Sequence, residues 1–436
     1  MSSIFDSLTP PSTISMQDSS VVVVGAGMVG VCVALDLQRR GAQVTLIDRH
    51  EPGRETSYGN AGVLARSSVL PLNNPGMLRD LPGLLGNQRT AFRYNWRYLS
   101  RNLNWALPFL ANARQSRVDQ TAAALDELIR LSIPAHKAMI ADCGQDDLLS
   151  ERGWIFLYRS DASFARGGML RSILGRFEIS SEALVADELR DLEPHLAPVF
   201  RNALWVKDSA SIRDPGALVA AYAKRFVAKG GEFRMGSVVG LSLEGAPGVT
   251  VEGGEIVRAT HCVLCPGPWG KDLLAHEGYQ VPMAFERGYH RHFQGPDHLG
   301  NVPALGRPIY DTGGGYVLSP MRQGLRLTTG VELNSLAADP NHSQLNRAET
   351  AAREAIDLGA RCSGPTWMGA RPTFPDSRPC IGALPHAPGF SVAFGHQHIG
   401  FATGPGTART LGDLLEGKTP PIDPAPFRPD RYISLN

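Results

Sequence analysis

Four β-branched residues, Val21 to Val24, run directly into Gly25-Ala26-Gly27-Met28-Val29-Gly30. An unbroken β-branched run suits a strand buried on both faces. The apolar spacing of Val31 to Arg40 fits a helix stopped by Gly41, and Gln43 to Ile47 reads as a second strand ending at Asp48. This is one βαβ unit. Its glycines have separate jobs: Gly25 allows the tight turn, Gly27 lets the backbone approach a pyrophosphate, and Gly30 lets helix and strand pack closely. The helix N-terminus offers unpaired N–H groups and a favourable dipole to phosphate. Asp48 stands where a carboxylate accepts hydrogen bonds from an adenosine ribose, which argues against a 2′-phosphate. The unit predicts a dinucleotide site.

With 436 residues the chain is too long for one ordinary core, which suggests two interleaved domains. A net charge of +1 gives no bias toward a nucleic-acid partner. Six scattered cysteines do not form a disulfide framework, so free thiols in a reducing compartment are expected. Cys262 and Cys265 lie in an apolar strand, His261 to Cys265, where residues three apart point to opposite faces; buried thiols are expected there, not a metal or redox pair. Met1 to Ser20 is polar, without a basic and then apolar stretch, and reads as a loosely ordered leader with no signal peptide. Residues 67 to about 150 look helical, Gly153 to Arg159 returns to strand, and helices are expected over Pro215 to Lys229 and Arg347 to Leu358. No apolar run reaches bilayer-spanning length. A cytoplasmic protein is expected, or one peripheral on the inner membrane face.

Further motifs occur in order along the chain. They are Thr56-Ser57-Tyr58-Gly59-Asn60-Ala61-Gly62, Glu286-Arg287-Gly288-Tyr289-His290, Gly369-Ala370-Arg371-Pro372-Thr373-Phe374-Pro375-Asp376, and Gly395-His396-Gln397-His398-Ile399-Gly400-Phe401-Ala402. With the Gly25–Gly30 turn they make the chain from about Val21 to Tyr432 resemble the D-amino-acid oxidase-like family of FAD amine oxidoreductases, and within it the bacterial D-amino acid dehydrogenases. The resemblance implies an α/β fold: a Rossmann-like FAD domain interleaved with an α+β substrate domain on a large antiparallel sheet. The implied FAD domain takes 21–66, 201–275 and 365–436, and the substrate domain 67–200 and 276–364. FAD contacts are implied for Gly25 to Gly30 (Ala26, Met28 and Val29 included), Asp48, Arg49, Ser57, Asn60, Ala61, Gly62, Val238, Gly267, Gly400, Phe401 and Ala402. Sarcosine oxidases, cousins in this family, tether FAD to a Cys two residues before the position of Arg371. Here that residue is Gly369, so non-covalent FAD is expected. Cys265-Pro266-Gly267 also departs from the small residue and Gly usual in the family.

Amine oxidation at carbon needs few protein groups, because flavin N5 accepts the hydride. The protein must hold the carbon and exclude water. Arg371 is the candidate for the substrate carboxylate, since its planar fork suits two parallel hydrogen bonds; the competing reading is a structural ion pair. Tyr289 and Tyr316 are candidates to hydrogen-bond carboxylate or amine, or are core residues with satisfied hydroxyls. His396 and His398 would share one side of an extended loop, and one of them, His396 foremost, would touch flavin or substrate. No carboxylate or Cys completes a metal set there, so no metal is expected. His290 and His292 alternate similarly and read as a polar cavity wall.

The resemblance makes the partners an amino or imino acid and a non-oxygen acceptor such as a quinone. Arg89, Arg93, Arg97, Arg101, Arg114 and Arg117 interleave with aromatic residues, which suits a membrane surface or an ordinary solvated helix. Three alternatives remain at this level: an oxygen-using oxidase of the glycine or sarcosine type, an enzyme specific for a cyclic imino acid such as a D-proline derivative, and, in another class, a flavin-bearing subunit that mainly assembles with partners or a non-catalytic binding protein.

Overall fold

The computed structural model describes residues 14–84, 86–87, 89–296 and 304–435. The valine run forms the strand Ser20–Val24 at the centre of a six-stranded sheet. Gln43–Asp48 flanks it on one side and His261–Leu264 on the other, all parallel. Glu232–Met235 and Phe390–Phe394 extend the parallel set, and Cys380–Ala383 adds an antiparallel edge. Successive valines serve different cores: Val21 and Val23 pack in one apolar cluster, Val22 and Val24 in another. That is why the run does not alternate with polar residues. The same parity sends Cys262 into one cluster and Cys265 into the other, and all six thiols are free.

The helices Met28–Arg39 and Gly400–Leu415 pack together over one face of this sheet, with Gln115–Asp142 beyond. Most of the leader expected over 1–20 lies outside the described residues. From Ile14 onward it is tied down: the Ile14 N–H donates to the Leu415 carbonyl at 2.8 Å, and Met16 is buried.

The second layer is a ten-stranded, mainly antiparallel sheet. Its order is Phe92–Tyr94, Val331–Leu333, Ala284–Phe293, Gly324–Thr329, Tyr316–Met321, Ile309–Asp311, Trp154–Tyr158, Asn202–Val206 and Ser181–Val185. Trp367–Thr373 pairs alongside Ala284–Phe293. Within the region expected to be helical, helices cover Pro75–Leu84, Trp96–Arg101, Leu103–Ala111 and Gln115–Asp142, whereas Leu149–Ser150 pairs with Ser209–Ile212 and Phe92–Tyr94 joins the sheet edge parallel to Val331–Leu333. Three residues show no period, so only the edge that templates them makes a strand. The helix expected over 347–358 runs instead over Ser343–Ala355.

Candidate active site

The turn after the first strand opens into a cavity of about 840 Å³ that extends to one face of the large sheet. At Gly25 the backbone has φ +101°, and a Cβ would lie 2.3 Å from the Cys265 carbonyl oxygen. At Gly30 a Cβ would lie 1.8 Å from the Gly25 carbonyl oxygen, so helix and strand touch there. At Gly27 a Cβ would meet only the Ser57 hydroxyl, at 3.4 Å. The first two glycines serve protein contacts, and the third leaves room on the cavity side.

The helix Met28–Arg39 starts with no side-chain cap and no acid in its first turn. Ser57 takes the Met28 N–H at 3.0 Å. The other amides of the first turn keep the partial positive charge of a helix start. Gly400–Leu415 begins in the same uncapped way, and Gly400, Phe401 and Ala402 line the cavity.

Asp48 accepts from the Ala26 N–H at 2.5 Å and the His50 N–H at 3.0 Å. Burial pushes its carboxyl pKa up, against these two donors. Arg49 pairs with Glu55 at 2.6 Å and lies 3.9 Å from the Trp269 ring centroid. Of the residues expected at the cofactor, all but Ala26 and Gly62 line the cavity, Val238 and Gly267 included. The two exceptions act one step behind. Ala26 donates to Asp48, and the Gly62 N–H donates to Asn60 Oδ1 at 2.7 Å.

Arg371 lies opposite Glu286 in register, and its guanidinium rests over Gly288, where a Cβ would fall 2.6 Å from Nη2. Nη1 donates to the Gly330 carbonyl at 3.2 Å. Among the described residues no carboxylate comes within 4 Å of this guanidinium, so it makes no direct ion pair, and Glu286 acts on it only at longer range. Burial lowers its pKa, and the Glu286 charge partly offsets this. Glu286 accepts from Thr373 Oγ1 at 2.8 Å.

Tyr289 and Tyr316 do not join this group. Paired strands set parity: Glu286, Gly288 and His290 share the face of Arg371 and Trp367, and Tyr289 points to the other side. There its hydroxyl donates to Glu332 at 2.5 Å and accepts from Arg287 at 2.7 Å and the Asn341 N–H at 3.1 Å. Tyr316 neighbours Val317, which lines the cavity, and so turns away into the core with Tyr289.

The two loop histidines also part company. Gln397 has φ +50°, so the loop is not extended. His396 is buried at 4% exposure on the cavity wall, bonded to Thr407 Oγ1 at 3.0 Å, and burial lowers its pKa to about 3. His398 stands open to the cavity, and burial together with the Arg371 charge lowers it to about 4. Both are neutral at physiological pH. His290 and His292 are not on the cavity wall: His290 stacks on Trp367 at 4.9 Å, and His292 accepts from Arg326 at 3.0 Å.

Sequence reasoning missed the far wall. Trp154, Tyr310 and Val317 close the cavity together with Leu70 and Phe92. Tyr310 pairs in register with Val317, so one sheet face presents both. Trp367 was missed too: it fills the space a side chain at Gly59 or Gly369 would need, 1.9 and 2.1 Å from their Cβ positions.

A family model for FAD dependent oxidoreductases, DAO, matches residues 20–414. The chain belongs to this DAO family. It is 34% identical to a D-amino-acid oxidase of Bradyrhizobium diazoefficiens over 95% of this chain and 99% of that one. It is 30% identical to D-amino acid dehydrogenase 2 of Ralstonia nicotianae, over 93% and 99% of the two chains. Among solved structures, glycine oxidase from Geobacillus kaustophilus superposes with a TM-score of 0.72 at 21% identity, covering 95% of this chain and 100% of that one. As a DAO family member the protein uses FAD, which when bound supplies the two-electron acceptor.

The residues present fit that cofactor. Gly27 leaves room for close approach, two uncapped helix starts face the cavity, and Asp48 stands at the end of the second strand. One consequence differs from the sequence reading, which gave Asp48 only a ribose contact. Asp48 also fastens the Ala26 N–H, so its loss disturbs the turn as well. A hydrogen bond to a charged acceptor is worth about 1.5–3 kcal/mol. Asp48→Ala is therefore expected to raise the FAD dissociation constant at least tenfold and to lower the melting temperature of the apoprotein. Flavin fluorescence titration and apoprotein melting check both, and an unchanged dissociation constant would remove Asp48 from the site.

Proposed function

We propose that this DAO family member oxidises a D-amino acid by hydride transfer from the α carbon to non-covalent FAD, releasing the imino acid and passing electrons to a quinone or another non-oxygen acceptor. One observation carries the reading. Arg371 presents a part-buried guanidinium at the cavity wall whose one direct hydrogen bond, among the described residues, goes to a backbone carbonyl, with the Glu286 charge acting on it from beyond ion-pair distance. Such a group gains most from a ligand carboxylate, in two parallel bonds. Around it the protein supplies few polar groups. His398 is neutral and can accept from an amine, and Trp154, Val317, Leu70 and Phe92 exclude water. The apolar wall suits an uncharged side chain. The roles of Arg371 at the carboxylate and His398 at the amine belong to this reading. Tyr289 and Tyr316 have no part in it, and His396 holds the loop through Thr407. The two relatives named for D-amino acid oxidation support the substrate.

An anaerobic screen of D- and L-amino acids tests the proposal. D-amino acids with apolar side chains should bleach the bound flavin, their L enantiomers should not, and acid precipitation should leave FAD in the supernatant. Bleaching by L enantiomers alone would refute the proposed substrate.

A second reading of the acceptor has its own support, since the relative at 34% identity is named an oxidase. Stoichiometric peroxide during turnover in air would select oxygen over quinone.

A cytoplasmic protein peripheral on a membrane face is part of the proposal. No helix of the described residues is long and apolar enough to cross a membrane. Along the helix Leu103–Ala111, however, Leu103, Leu107 and Leu110 are exposed at helical spacing, and Trp96, Arg97, Arg101 and Arg114 in the flanking sequence are exposed too. Exposed apolar anchors with cations in the adjoining segments suit an anionic lipid surface. The protein should co-sediment with vesicles containing anionic lipid at low salt, and Leu107→Glu should weaken this. Equal recovery in the supernatant with and without vesicles would remove the membrane from the proposal.

A further inference from the structure

Arg326, on the strand Gly324–Thr329, is 3% exposed and lines no part of the cavity. Among the described residues no carboxylate lies within 4 Å of it. Its Nη1 donates to the carbonyls of Tyr58 at 2.9 Å and Asn60 at 2.6 Å, and its Nε donates to His292 Nε2 at 3.0 Å. Burial lowers its pKa to about 10, so it remains a cation. Asp214 offsets part of the burial at longer range, but a buried charge whose direct partners are all neutral is costly, and apolar residues of similar volume often serve stability better. Folding alone does not explain it.

The other side of the loop does. A trans peptide holds its C=O and N–H antiparallel, and the chain has no cis bonds among the described residues. Drawing the Tyr58 carbonyl toward Arg326 turns the Gly59 N–H away, and drawing the Asn60 carbonyl turns the Ala61 N–H away. Gly59, Asn60 and Ala61 line the cavity. Among the described residues nothing accepts from the Gly59 or Ala61 N–H. Two free donors thus border the cavity with a cation polarising the peptides behind them.

We propose that Arg326 raises the electron affinity of the bound flavin, acting through the Tyr58–Gly59 and Asn60–Ala61 peptides as a positioning residue that never touches the cofactor. A flavin that accepts a hydride gains negative charge. Donors already aimed at that charge, in a site shielded from water, stabilise the reduced form without reorganising. The inference rests on FAD occupying this cavity and is independent of the D-amino acid reading.

The test is the two-electron midpoint potential of the FAD-loaded protein, set against dyes of known potential without any substrate. Arg326→Gln keeps a donor and loses the charge. It should lower the preference for reduced over oxidised FAD at least tenfold, a fall of about 30 mV. Arg326→Lys, which keeps the charge, should recover most of this. An unchanged potential in Arg326→Gln overturns the proposal. Should that variant shed FAD, oxidised and reduced FAD are titrated separately into the apoprotein. The loss of affinity must then be at least tenfold larger for reduced FAD; equal losses would reduce Arg326 to a brace for the loop and overturn the proposal.

Discussion

Arg371→Ala is expected to lower kcat/KM for the best D-amino acid by about 30- to several-thousand-fold, the range for truncating one partner of a buried charge pair. A substrate carboxylate entering this cavity leaves water behind and must meet an opposite charge. In the proposed reading Arg371 meets it, and Gly288 leaves the room its fork needs. Arg371→Lys retains the charge but not the two parallel bonds, so its defect should be intermediate, with the reacting carbon held less well. FAD content should stay at the parent level in both, because the Gly25–Gly30 turn and Asp48 are unaltered. Amines lacking a carboxylate should lose far less than amino acids. Steady-state kinetics on a matched amino acid and amine make the comparison. If Arg371→Ala turns over its best D-amino acid as the parent does, the carboxylate is bound elsewhere.

Gly30→Ala should yield protein without flavin. The added methyl would sit 1.8 Å from a backbone oxygen that has no side-chain freedom to yield. The first strand and the helix Met28–Arg39 must separate, and that displaces the amides that would meet the pyrophosphate. Overpacking of this kind typically costs about 1–3 kcal/mol, more when backbone must shift. Gly27→Ala provides the contrast: its methyl meets only the Ser57 hydroxyl at 3.4 Å. That variant should melt like the parent as apoprotein and still bind FAD weakly, because the lost space belongs to the ligand. Absorbance of flavin per protein, with apoprotein melting, separates the two. A yellow Gly30→Ala protein of parental stability would show that the turn relaxes more easily than its geometry implies.

The sequence by itself determined the βαβ unit, because every element of it is local. The valine run, the three glycines, the helix and Asp48 lie within 28 residues, and their spacing admits one arrangement. Motif also drew attention to Arg371 and to the loop from Thr56 to Gly62, and both reach the cavity. The opposite destinations of Cys262 and Cys265 followed from strand parity alone.

Only the tertiary structure decided which side of the large sheet is the site. A strand's period of two divides Glu286 to Phe293 into two faces but does not say which face meets the cavity. That depends on packing against helices far away in sequence, such as Ser343–Ala355 behind Tyr289 and Tyr316. The tyrosines were therefore misplaced while Trp154, Tyr310 and Val317, on strands distant in the chain, went unnoticed. The loop histidines diverged because one residue, Gln397, takes positive φ, which no spacing rule announces. Arg326 was invisible for the same reason: its partners, Tyr58 and Asn60, lie more than 260 residues earlier in the chain, and only the sheet brings a buried charge behind the loop.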